Sequence, residues 1–292
     1  MPRRELHAVG EGPVRRWRIQ SGAVWLAGTD TGTGGPVVLL HGLASTHRWW
    51  DLVAQRLPDC RVVRFDHRGH GCSSVARDGY DIEHLAADVL AVLDGLDIRR
   101  TVLAGHSLGA AVALRVAATV PQRVAALACV EGGIYDPLLL FGPTWEQART
   151  AMIRPSRGRI TASVLSAWLA STSLPAAALP AVLANYTHAG PGGALRLRLA
   201  PDAAEQLARD LWRQDPVPLL EAVRMPVLLL AAQQGEAGQD LPRRESVRRA
   251  RVLLGARLSV EWVTGGHDLP LESPDRVARA LATLILRVPE AA

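Results

Sequence analysis

The sequence predicts an α/β fold: a mostly parallel, doubly wound sheet with a helical cap inserted after the sixth strand. Three observations lead there. Six apolar runs of strand length, at 37–40, 61–65, 101–104, 124–130, 227–232 and 258–263, are continuous rather than alternating, as in strands covered on both faces. Helical patterns lie between them, so strand and helix alternate along the chain. The alternation breaks once, between about 134 and 223, in a stretch rich in Ala, Leu and Pro that has no strand-like run.

Each element has its own signal. Residues 14–27 alternate around Ser21-Gly22 and read as an antiparallel hairpin, followed by a Gly/Thr loop over 29–35. Helices are expected at 46–57, 82–96, 108–119 and 274–286; in the second, Leu85, Val89, Val92, Leu93 and Leu96 share a side. The interrupted stretch carries Trp145, Trp168 and Trp212, and its prolines and glycines would cut it into short helices. The expected division is a core of residues 1–133 and 223–292 and a cap of residues 134–222.

Composition narrows the function classes. The chain has 292 residues, 48% of them hydrophobic, enough for one large α/β domain with an insertion. All 33 basic residues are arginine, set among 28 acids, for a net charge of +5. Only Arg243-Arg244 and Arg248-Arg249-Arg251 cluster, with a spacing that fits a solvated helix face, so neither a nucleic-acid nor a membrane partner is expected. Cys60, Cys72 and Cys129 are odd in number and form no CxxC pair, which argues against zinc and a disulfide framework. The start has no apolar signal region and no apolar run spans a bilayer, so a cytoplasmic location is the expectation.

Chemistry concentrates at strand ends. Gly105-His106-Ser107-Leu108-Gly109 fits G-x-S-x-G between a predicted strand and a predicted helix, where a tight turn lifts the serine hydroxyl above the sheet. The competing reading of Ser107 is a simple helix cap. Val37 to Leu40 run into His41-Gly42-Leu43, which places the Leu43 N–H, with the Leu108 N–H, as donors for a developing oxyanion. The His41 ring is read as tying this loop down. Phe65-Asp66-His67-Arg68-Gly69-His70-Gly71 is read as a Gly-rich turn fixed by Asp66 and Arg68, because no second ligand set makes it a metal site.

VVLLHG, FDHRGHG, GHSLGA and GGHDLPLESP, in this order and spacing, resemble the α/β-hydrolase superfamily over nearly the whole chain. The resemblance implies a nucleophile, an acid and a histidine in that chain order. Ser107 matches the nucleophile and His267 the general base. Asp268 adjoins His267, and adjacent side chains on a loop diverge, so it is not the acid. The commonest family position for the acid falls on Gly235, which cannot serve. Glu236 is next and Asp240 lies further along. Some members, haloalkane dehalogenases among them, carry the acid after the preceding strand, where Val130-Glu131-Gly132-Gly133 ends an apolar run. Glu131 is the expected acid, since a strand edge is a rigid mount over the site, with Glu236 as the alternative.

A serine at the elbow argues against the epoxide hydrolase and haloalkane dehalogenase reactions, which use Asp there. The expected reaction is hydrolysis of an ester, lactone or thioester of a small apolar acyl substrate through an acyl-enzyme, without cofactor or metal. His41, Trp50, His106, Trp145 and Trp168 are the expected pocket residues, although Trp145, Trp168 and Trp212 equally suit a core within the cap. Two alternatives stay open: a cofactor-independent lyase or oxygenase on the same fold, and a non-catalytic ligand-binding protein. Oligomeric state is not readable.

Overall fold

The structure, a computed structural model, describes residues 4–7, 14–153, 160–190, 192–233 and 240–288. Its strands are β1 (Arg4–His7), β2 (Val14–Ser21), β3 (Val24–Thr31), β4 (Gly35–Leu40), β5 (Cys60–Phe65), β6 (Thr101–His106), β7 (Val124–Val130), β8 (Tyr186–His188), β9 (Leu195–Leu197), β10 (Val227–Gln233) and β11 (Leu258–Thr264). Nine of them form one sheet in the order β1-β2-β3-β5-β4-β6-β7-β10-β11. From β5 to β11 in this order every neighbour is parallel, and β1, β2 and β3 add an antiparallel edge.

The helices are α1 (Asp51–Ala54), α2 (Ile82–Gly95), α3 (Leu108–Thr119), α4 (Pro137–Phe141), α5 (Trp145–Met152), α6 (Ala162–Ala170), α7 (Leu179–Ala184), α8 (Pro201–Arg213), α9 (Pro216–Ala222), α10 (Leu241–Leu254), α11 (Leu269–Glu272) and α12 (Pro274–Leu286). Alternate residues of β4 show the double winding. Val38 and Leu40 join a core formed with α2, α3 and α10, while Val37 and Leu39 join a second core with α1 and α12. The predicted face of α2 is buried along its length, and Asp81 caps this helix through the His84 N–H.

Four local expectations need correction. The predicted helix at 46–57 is a 3₁₀ turn, His47–Trp50, running into the four residues of α1. Asp66 Oδ1 captures both the His47 N–H and its Nδ1, at 2.8 and 2.9 Å, which fixes this entry. Residues 29–31 are strand, not loop, because Thr29, Asp30 and Thr31 pair with Arg64, Val63 and Val62 of β5. Residues 134–222 do contain strands: β8 and β9 form a small antiparallel hairpin. The cluster of arginines lies on α10, but only part of it is solvated. Arg248 and Arg249 pair with Glu245 at the surface, whereas Arg243 turns inward.

The segment between β7 and β10 packs against both faces of the sheet. Ile134, Tyr135, Ala203 and Leu207 enter one core, and Leu165, Leu169, Ala181 and Val182 the other. Among the described residues, no helix is long and apolar enough to cross a membrane. No group of three His, Cys, Asp or Glu among them is arranged to hold a metal ion.

Candidate active site

The β6–α3 junction places Ser107 at φ 54°, ψ −118°, a region L-residues avoid at a cost of about 1–3 kcal/mol. Its N–H donates to Val130 O at 3.0 Å, and its carbonyl accepts the Ala110 N–H at 3.0 Å, so strand and helix together hold the turn. The motif glycines are there for space. A Cβ on Gly105 would stand 2.1 Å from Gly109 O. The neighbouring loops press equally close: a Cβ on Gly132 would stand 2.5 Å from Ser107 O, and one on Gly42 would meet Ser107 Cβ at 3.2 Å. The Gly42-Leu43 turn and the Glu131-Gly132 turn therefore flank the serine on either side. Leu108 opens α3, so its N–H has no carbonyl four residues back within the helix.

Glu131 ends β7 with φ 49° and is 2% exposed. Its Oε1 accepts the Ala232 N–H at 2.6 Å and the Tyr135 hydroxyl at 2.9 Å. Its Oε2 faces Arg243, with Nε at 3.2 Å and Nη2 at 3.0 Å, and His267, with Nδ1 at 3.5 Å. Burial alone would raise this carboxyl. The contacts with His267, the Arg243 charge and the Ala232 N–H outweigh it and hold Glu131 below the usual range. Burial and the Glu131 charge push Tyr135 well up, so it stays protonated as a donor.

His267 follows β11 on a short loop, its side chain 48% exposed. Glu272 holds that loop by accepting the N–H groups of Gly266 and Asp268. His106, beside Ser107, donates from Nε2 to His267 O at 2.8 Å. Burial, and then the neighbouring His267, push His106 down to about 3, so its ring is neutral. Three strand ends thus bring Ser107, Glu131 and His267 to one edge of the sheet.

The remaining predicted residues fall differently. Glu236 lies outside the described residues. Asp240 is buried at the start of α10, where its charge adds to the rise of Arg243. His41 is fully buried: Nδ1–H donates to Gly42 O at 2.8 Å and Nε2 accepts the His67 N–H at 3.0 Å. It ties two loops together and is interior, not pocket wall. Burial, with His67 and His70 beside it, holds His41 well below the usual histidine range. Trp50 is likewise interior, its indole N–H donating to Leu40 O at 3.0 Å. His106 is engaged by His267 O. Trp145 packs on Trp212, ring centroids 6.0 Å apart, under Arg209. Trp168 stands on α6 with 41% of its surface exposed. Asp66 and Arg68 are turn-fixing residues: Asp66 also accepts the Cys72 N–H, and Arg68 clasps buried Asp88 with two donors at 2.8 and 2.7 Å.

Arg243, Tyr135 and Glu272 were not among the expected site residues. Glu272 stands five residues after His267 inside GGHDLPLESP, which was its available signal.

The strand order, the strained serine between β6 and α3 and the carboxylate–histidine contact at the same edge define the class: an α/β hydrolase fold. A model of the alpha/beta hydrolase fold family matches residues 35–240, and the chain belongs to that family. It is 27% identical over 280 residues to 2-(acetamidomethylene)succinate hydrolase of Mesorhizobium japonicum, covering 92% of this chain and 94% of the relative. The crystal structure of E-2-(acetamidomethylene)succinate hydrolase superposes with a TM-score of 0.76 at 26% identity, over 92% of this chain and 98% of that one. A shorter match, 45% identical over 105 residues, is to the dihydrolipoyllysine-residue acetyltransferase component of the acetoin cleaving system of Pseudomonas putida, covering 34% of this chain. In several curated relatives the match spans only 27% to 39% of the relative. Hydrolases stand among both the relatives and the structural neighbours.

Proposed function

We propose that the chain is a serine hydrolase that cleaves an ester, lactone or thioester of a small apolar acyl substrate through an acyl-enzyme. Ser107 Oγ attacks the carbonyl carbon and passes its proton to His267 Nε2. The tetrahedral oxyanion is met by the N–H groups of Leu43 and Leu108. His267 returns the proton to the leaving alcohol or thiol, and water, activated by the same ring, releases the acid. Glu131 holds His267 in the tautomer with hydrogen on Nδ1 and stabilises the imidazolium as it forms. Every proton transfer in this scheme is served by protein side chains, and no cofactor takes part.

The observation that carries the reading is the 3.5 Å approach of Glu131 Oε2 to His267 Nδ1, on a carboxylate whose strand neighbour Val130 holds Ser107. The hydrolases among the relatives support it. Residues 134–222 are taken as the cap that shapes the substrate pocket. A fluorophosphonate probe tests the reading: it should label Ser107 in the native protein and nothing in Ser107→Ala. Unlabelled native protein, or equal labelling of both, overturns it.

A further inference from the structure

A cleft lies away from Ser107, Glu131 and His267. It is a groove of about 1090 Å³ between the face of β2, β3 and β5 on one side and α1 with the turn after it on the other. None of the three residues of the proposed active site lines it.

Sheet register places its polar groups. Arg16 of β2 is opposite Thr29 of β3, and Thr29 is opposite Arg64 of β5. The three side chains therefore form one row across one face of the sheet, with the two arginines about 10 Å apart at their backbones. Arg18 and Arg48 also line the groove, and Asp51 is the one carboxylate among the described lining residues. That carboxylate is already engaged, accepting Arg48 Nε at 3.0 Å and Arg64 Nη1. Two polar atoms of the row have no partner: Arg64 Nε and Thr29 Oγ1. Both residues are more than nine-tenths buried. A buried donor left without an acceptor is unfavourable, so the row is arranged for a group that brings acceptor oxygens. Ala27, Ala54 and Leu57 supply an apolar wall beside it.

We propose that this groove binds a small amphiphilic organic anion, its charged head on the Arg16–Thr29–Arg64 row and its hydrocarbon body along the apolar wall. The head is a carboxylate or a phosphate monoester. Either offers the planar guanidinium groups two acceptor oxygens and the Thr29 hydroxyl a third contact. A neutral molecule of the same shape leaves Arg64 Nε unpartnered, and a cation meets four arginines.

Isothermal titration of the Ser107→Ala protein with octanoate, octyl phosphate and octanol tests this, and using that variant keeps the outcome independent of the hydrolase reading. At least one anion should bind saturably, about tenfold more tightly than octanol, and the tighter of the two identifies the head group. Arg16→Gln removes an exposed side chain and Thr29→Val preserves volume, so both should fold. Each should weaken the anion about tenfold, and binding should weaken as salt rises. The proposal is overturned if neither anion binds, if octanol binds as well as they do, or if Arg16→Gln and Thr29→Val together leave binding unchanged.

Discussion

Acidification between pH 6.5 and 5 should destabilise this protein through its buried histidines rather than its carboxylates. His41, His67 and His106 are enclosed in the fold, and burial heads the causes that lower each; His67 and His106 are pushed to about 3. A second proton on any of these rings would have no acceptor. His41 Nε2 accepts a backbone N–H, and the free Nδ1 atoms of His67 and His106 are buried without an acceptor beside them. In the unfolded chain each would protonate near pH 6.5. With folded values depressed, the stabilisation is complete above the unfolded value and is lost as pH falls toward the folded one. Each group contributes a slope of about 1.4 kcal/mol per pH unit once its unfolded form is protonated, so three make roughly 4 kcal/mol per unit. Integrated from pH 6.5 to 5, the loss is about 5 kcal/mol, comparable with the whole stability of a marginal domain. Ordinary carboxylates titrate below this window and contribute little. Urea unfolding at half-unit pH steps measures the slope, and His67→Asn should lower it by one proton's worth whatever its own stability. A slope below about 1.4 kcal/mol per pH unit would refute the reasoning, because it means the folded protein takes up protons at these rings.

Other consequences concern the proposed active site. Glu131→Gln should lower kcat by roughly three to four orders of magnitude against a p-nitrophenyl ester, with KM little changed. Arg243→Met removes the cation beside a buried carboxylate and should destabilise by about 3 kcal/mol in urea unfolding. It should also move the acid limb of the kcat/KM profile to higher pH, since Glu131 loses one of the charges that hold it below its usual range; Arg243→Lys should restore the limb toward its native place. Gly132→Ala would put its methyl 2.5 Å from Ser107 O and should cost about 1–3 kcal/mol in thermal unfolding, with activity falling further than stability because the serine turn must shift.

The parallel sheet was legible because its strands are buried on both sides, and a run such as Val37 to Leu40 reports that directly. The tight turn at Ser107 was legible because it excludes side chains from its flanks. Short pieces were not: β8 and β9 have three residues each, too few for a period to show. Arg243 was misread because a charged residue on an amphipathic helix defaults to solvent, and its partner Glu131 is 112 positions away. The same distance problem left Glu131 and Glu236 as competing acids in the sequence, since spacing along a chain does not report which carboxylate a distant histidine meets. Trp50 and His41 were assigned to a pocket on position alone. The Trp50 indole turned out to serve the backbone, which composition does not reveal, whereas the His41 ring ties its loop down as its place after the strand had suggested.

Tyr135 is the fourth residue beyond Glu131 and belongs to the segment between β7 and β10, yet its hydroxyl donates to the Glu131 carboxylate. The proposed boundary between core and cap therefore runs through the carboxylate's own support. Anyone exchanging residues 134–222, the proposed cap, for another segment would remove one of that carboxylate's donors with the graft. A chimaera joined after Asp136 keeps it. Swaps joined at 133 and at 136 would separate damage to the scaffold from a genuine change of substrate.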